Sequence, residues 1–188
     1  ALWGIGELAL PSRSFSGSMV GVLAAGALFK NFDKPFSFIY GPVSEERAQR
    51  RLRVFASAVR AIAYLREAAI GVIGMRPDGF QIAGFDELAV KQVFGTEITK
   101  VSMYEFSNII RAIDEKEIDR DMEVQKKIFE IPKESLAGAR GLSRVYLAVK
   151  KVVQERSLQS YAPDCWPELR DNDHTPICPA NGRMNAEG

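Results

Sequence analysis

The chain has 188 residues, is 46% hydrophobic and carries a net charge of +1. That length and apolar content suit one domain with a real core and exclude wholesale disorder. The near-neutral balance gives no basic face for nucleic acid, and no apolar run approaches the roughly 18 residues that span a bilayer, so neither nucleic acid nor membrane is an expected partner.

The first candidate strand is Ala1 to Gly6. Ala1-Leu2-Trp3 opens in apolar sequence without the charged region of a signal peptide, which sets a cytoplasmic expectation. Gly4-Ile5-Gly6-Glu7-Leu8-Ala9 matches a dinucleotide fingerprint in letters only. That fingerprint must open a helix at its glycines, yet Leu10-Pro11-Ser12-Arg13 follows, and a helix capped by Ser16 starts later, through Val20, Leu23, Leu28 and Phe29. A glycine-rich strand end and a mobile loop account for the motif.

Phe36 to Tyr40 is the second candidate strand. Ser44, with Glu45 and Glu46 behind it, is the expected cap of a helix bearing Ala48, Leu52, Phe55, Val59 and Ile62 on one stripe. Arginines 47, 50, 51, 53 and 60 lie mostly off that stripe and read as a solvated face. Ala69 to Gly74 is the third strand. After it, Arg76-Pro77-Asp78-Gly79-Phe80 reads as a turn whose Arg76 can grip an anion or a polyol. Asp86 to Phe94 is a short helix closed by Gly95, and Glu97 to Val101 is the fourth strand.

Tyr104 to Glu130 reads as two short helices around the charged run Asp114 to Asp121, an exposed excursion whose acids are solvated. Pro132 precedes a helix with Leu142, Val145, Val149 and Val152 on one face. Ser160 to Cys165 is the fifth strand. Alternating strands and helices predict an α/β fold, a Rossmann-like open and mainly parallel sheet of about five strands with a short helical excursion before the last one, as one domain over residues 1–188. Residues 164–188 are expected to be a loop-rich tail.

On open parallel sheets ligands bind outside the carboxyl ends of the strands, and the tail belongs to that rim. Cys165-Trp166-Pro167-Glu168 is the sharpest local signal. An indole face packs on sugar C–H groups, and a carboxylate accepts hydroxyl hydrogen bonds. Cys165 and Cys178, the two cysteines, are thirteen positions apart without a CxxC, and with one His in the chain they make a poor zinc set. They read as reduced thiols. His174 with Asp171 and Asp173 lacks the serine elbow of a hydrolase triad.

Asp164-Cys165-Trp166-Pro167-Glu168-Leu169, and then Ile177-Cys178-Pro179-Ala180-Asn181-Gly182-Arg183-Met184-Asn185-Ala186-Glu187-Gly188, resemble the middle domain of the L-fucose isomerase-like family, which is related to L-fucose and L-arabinose isomerases. Phe38-Ile39-Tyr40-Gly41, Ile70 to Gly74 and Phe85-Asp86-Glu87-Leu88 extend the resemblance over most of the chain. It implies a fragment of a hexameric aldose–ketose isomerase, with a sugar substrate such as L-fucose and a divalent metal, Mn²⁺, that works through an enediol.

The resemblance puts the catalytic and metal carboxylates in a Cys-Glu-Gly-Asp-like segment beyond Gly188. No catalytic or metal residue is therefore assigned here, and the 188 residues alone are expected to be inactive and to bind no cofactor. Substrate-facing candidates are Trp166, Glu168, Cys165 and Arg76, supported by Asn181 and Arg183. Asp164 stands where the family has Arg, so no sugar contact is carried over to it. The second reading is a non-catalytic sugar- or small-molecule-binding α/β module.

Overall fold

The structure is a computed structural model, and it describes residues 1–6, 9–10, 13–14, 18–128 and 130–187. The expected cap Ser16, and Glu7 and Leu8 of the glycine motif, lie outside them. The chain divides into two compact units, Ala1–Tyr64 and Leu65–Gly188.

In the first unit, β1 (Leu2–Gly4) pairs in parallel with β4 (Phe38–Tyr40), with Trp3 opposite Ile39. The indole Nε1 of Trp3 donates to the Gly41 carbonyl at 3.1 Å and ties the two strand ends together. Between them, β2 (Ala9–Leu10) and β3 (Arg13–Ser14) form a short antiparallel pair where a loop was expected. Helix α1 (Ser18–Asn31) packs on β1, and Gly26 is its buried point, against the Phe36 ring. It begins twelve residues after Gly6, so no helix opens at the glycines.

Helix α2 (Glu46–Glu67) follows. Its first backbone bond runs from the Gln49 amide to the Glu45 carbonyl, which makes Glu45 the cap residue in place of Ser44. The expected stripe buries Ala48 alone; Leu52 and Phe55 are half-buried, while Val59 and Ile62 are exposed.

The second unit is built on β5 (Ala69–Ile73), paired in parallel with β6 (Glu97–Val101) on one edge and with β7 (Ser160–Pro163) on the other. Helix α3 (Glu87–Phe94) links β5 to β6. Asp86 caps it by accepting from the Leu88 and Ala89 amides, and Gly95 ends it at φ 78°, as the sequence predicts. Three helices lead from β6 to β7: α4 (Met103–Arg111), capped by Ser102, α5 (Glu115–Ile128) and α6 (Leu136–Glu155). The buried Phe106 of α4, Ile118 of α5 and Val145, Val149 and Val152 of α6 meet in one core with Ile73 and Val101 of the sheet.

The α/β character and the parallel pairing stand as expected. The five expected strands are present, but they form two hydrogen-bonded sets instead of one sheet. Among the described residues, β1 pairs with β4 in one set, and β6, β5 and β7 make the other. The charged stretch is not an exposed excursion: Ile118 and Met122 turn one face of α5 into core. The tail is helical, with α7 (Glu168–Asp173) and α8 (Cys178–Glu187). Leu169, Ile177 and Ala180 anchor it in the core, and Pro179 sits in the first turn of α8, where its missing N–H costs nothing.

Phe106 is fully buried and Val54 is 66% exposed. Phe106→Ala is expected to lower the unfolding free energy of the second unit by about 3–5 kcal/mol. Val54→Ala is expected to change it by under about 0.5 kcal/mol. Urea unfolding followed by circular dichroism checks both.

Candidate functional site

The carboxyl ends of β5, β6 and β7 converge at Gly74. Its φ is +82°, and a Cβ there would stand 2.7 Å from the Asp164 Cβ and 2.8 Å from the Met103 Cε. A side chain does not fit, so the connections after all three strands lie close together. Asp164 is 8% exposed. Its amide donates to the Ile73 carbonyl at 2.7 Å, and its Oδ1 accepts from the Trp166 amide at 3.2 Å. This buried carboxylate is the brace of the turn that presents Trp166.

Trp166 is 44% exposed, and the guanidinium of Arg170 lies 5.6 Å from its ring centroid. The Trp166–Pro167 peptide is cis. Glu168 begins α7 and is exposed; Arg76, in the connection after β5, is also exposed. Cys165 is half-buried. Burial pushes its thiol up from the ordinary value, and the neighbouring Cys178 thiol and Asp164 carboxylate push it further. Chain connectivity thus places Cys165, Trp166 and Glu168 together after β7, with Arg76 on the same end of the sheet.

Asn181 and Arg183, both on α8, go separate ways. Asn181 accepts a 2.9 Å bond from the Tyr161 hydroxyl of β7. Arg183 reaches across to α5, where two of its nitrogens donate to Asp121 at 2.8 and 2.6 Å. Its guanidinium stacks 3.6 Å from the Tyr146 ring centroid. Tyr146 in turn donates to Glu187, and Lys150 donates to Glu187 at 2.9 Å.

This cluster walls a cleft of about 450 Å³ that includes Arg120, Asp121, Tyr146, Lys150, Arg183 and Glu187. Trp166, Glu168 and Arg76 do not line it. Burial opposes ionisation of Asp121, but bonds from Arg183, Ser143 and Gln125 outweigh it and hold the carboxyl below its ordinary value. Burial, then the bond to Glu187, pushes the Tyr146 phenol up. The bonds from Tyr146 and Lys150 hold Glu187 down. The acids are matched by cations, so the cluster acts as the clasp of α8.

Reading Asp121 as one of a solvated run missed this. The signal was helical phase: Ile118, Asp121, Met122 and Gln125 share one face of α5, and all four are buried. Asp119, off that face, pairs with Arg140 in the open.

Among the described residues no group of three His, Cys, Asp or Glu side chains is placed to hold a metal ion. None of the described helices is long and apolar enough to cross a membrane.

No protein-family model matches the chain. It is similar to the sulfoquinovose isomerase of Alkalicoccus urumqiensis, 22% identical over 187 residues, which is 99% of this chain and 42% of that protein. Sulfoquinovose isomerases of Priestia aryabhattai and Priestia megaterium are each 22% identical over 188 residues, all of this chain and 42% of theirs. The chain thus spans less than half the length of the curated relatives it matches.

Breaking a buried pair by removing one partner costs about 3–5 kcal/mol. Arg183→Met is expected to destabilise the second unit by about that much at neutral pH. Because the folded pKa of Asp121 is depressed, its stabilisation is present above the unfolded carboxyl value and lost as pH falls through the folded one. The gap between Asp121→Asn and wild type is therefore expected to close as pH drops below about 4, as measured by urea titrations at several pH values.

Proposed function

We propose that this chain is the α/β portion of a sugar isomerase that interconverts an aldose and a ketose, and that the sugar carries an anionic group. The observation that carries this is the alignment of the chain, end to end, with proteins named sulfoquinovose isomerase. The Cys165-Trp166-Pro167-Glu168 segment supports it, because it stands on the strand-end rim where open parallel sheets take their ligands.

In this reading Trp166 offers its exposed indole face to the C–H face of the ring, and Glu168 accepts hydrogen bonds from hydroxyls. Arg76 supplies the cation for the anionic substituent through charge-assisted bonds. Asp164 holds the turn that orients Trp166. Cys165 packs beneath, and Asn181 steadies the neighbouring strand through Tyr161. Arg183 fixes α8 against α5 through Asp121.

The isomerase reading keeps a divalent metal, Mn²⁺ by the resemblance, which supplies polarisation of the sugar oxygens when bound. The described residues of this chain do not offer its donor set, so no proton step is assigned to them. The whole protein is read as a homo-oligomer, hexameric by the resemblance, working in the cytoplasm.

The test is an NMR assay of aldose–ketose interconversion by the full-length protein with Mn²⁺, offered sulfoquinovose, L-fucose and glucose. Turnover of sulfoquinovose above the neutral sugars is expected. Loss of a charged hydrogen bond costs about 1.5–3 kcal/mol, so Arg76→Ala is expected to raise KM for the sulfonated sugar roughly tenfold or more while leaving that for neutral sugars alone. No turnover, with sugar binding retained, would replace the isomerase by a sugar-binding module.

A further inference from the structure

Helix α2 carries a stripe that its own unit leaves open. Arg47, Arg51, Val54, Ala58 and Ile62 recur at spacings of four and three residues, so they share one face of the helix. All five are exposed, Val54 by 66% and Ile62 by 51%. From Ala56 to Tyr64 every residue of α2 is exposed. Helices in proteins draw most of their stability from burying an apolar face, and this face is uncovered. Among the described residues neither Arg47 nor Arg51 has an ion-pair partner.

The second unit carries a surface of complementary chemistry. A groove of about 800 Å³ runs between the end of α5, the start of α6 and α8. Ile128, Ile131, Leu142 and Pro179 make its wall apolar, and Glu130 and Glu134 stand in the same wall. Both acids are exposed and have no ion-pair partner among the described residues. The other charged groups of the wall, Arg183 and Glu187, are already engaged in the α8 clasp.

An amphipathic helix docks in a groove through apolar anchors one and two turns apart, and opposite charges fix its register. Val54, Ala58 and Ile62 have that spacing, with two unmatched cations ahead of them. We propose that the groove of one copy receives the α2 stripe of a second copy, with Arg47 and Arg51 meeting Glu130 and Glu134. Every copy carries both surfaces, and they differ from one another. The contact is therefore heterologous, the type that closes copies into a ring. It rests on the homo-oligomer reading and supplies its contact, and it is independent of the sugar chemistry.

The test measures the mass of the full-length protein by light scattering over a dilution series. The Glu130→Arg/Glu134→Arg variant places like charges together and is expected to raise the concentration of half-dissociation by about tenfold or more. Adding Arg47→Glu/Arg51→Glu is expected to bring it back. In wild type, the amides from Val54 to Ile62 are expected to exchange hydrogen faster once dilution has dissociated the oligomer, a readout that needs no variant to fold. An oligomer unmoved by the acid reversal, or not restored by the compensating one, would overturn this contact alone. So would amides equally protected in the dissociated protein, since another part of the same chain would then cover the stripe. A single-chain mass at every concentration would remove the homo-oligomer reading as well.

Discussion

β5 is hydrogen-bonded along both edges, and the larger unit is organised by that fact. A strand with two parallel neighbours needs crossover connections on each side, and here they are helical: α3 toward β6, then α4, α5 and α6 before β7. Helices that cover such a sheet must turn apolar faces inward. Phe106, Ile118 and Val149 do so and close the core over Ile73 and Val101. The same three strands all end on one side, at Gly74, where the candidate rim is assembled.

Sequence reasoning worked where one local rule decided the outcome. Asp86 and Gly95 bracket α3 as their chemistry demands, and the alternating strand and helix patterns announced parallel pairing. It failed where distant residues decide. Asp121 looks like any acid in a charged run until Arg183, sixty-two positions away, is seen to fold against it. The tail looked irregular because its helices are short and polar; their stability comes from Leu169, Ile177 and Ala180 in the core, which tertiary packing supplies and propensity does not. At the rim, Trp166 was legible from its neighbours Pro167 and Glu168. The brace beneath it, Asp164, was not, since its part depends on burial and on the Trp166 amide.

The two polar assemblies divide their labour. The rim group after β5 and β7 is open, with exposed side chains at Trp166, Glu168 and Arg76. The α5–α6–α8 group is closed upon itself, each acid matched by a cation. The scaffold residues of the second group are held by partners of their own chain, while the candidate rim residues stay exposed.

The clasp has a consequence for how this chain tolerates changes in length. Arg183 and Glu187 lie four apart on α8 and grip α5 and α6 from a single face of the helix. One residue of α-helix is about 100° of rotation. An insertion or deletion between Cys178 and Arg183 would swing both side chains away at once and leave Asp121 buried without its counter-ion. The turn joining α7 to α8 can absorb such a change outside the helix. The first turn and a half of α8 has its length fixed as firmly as any core residue has its identity.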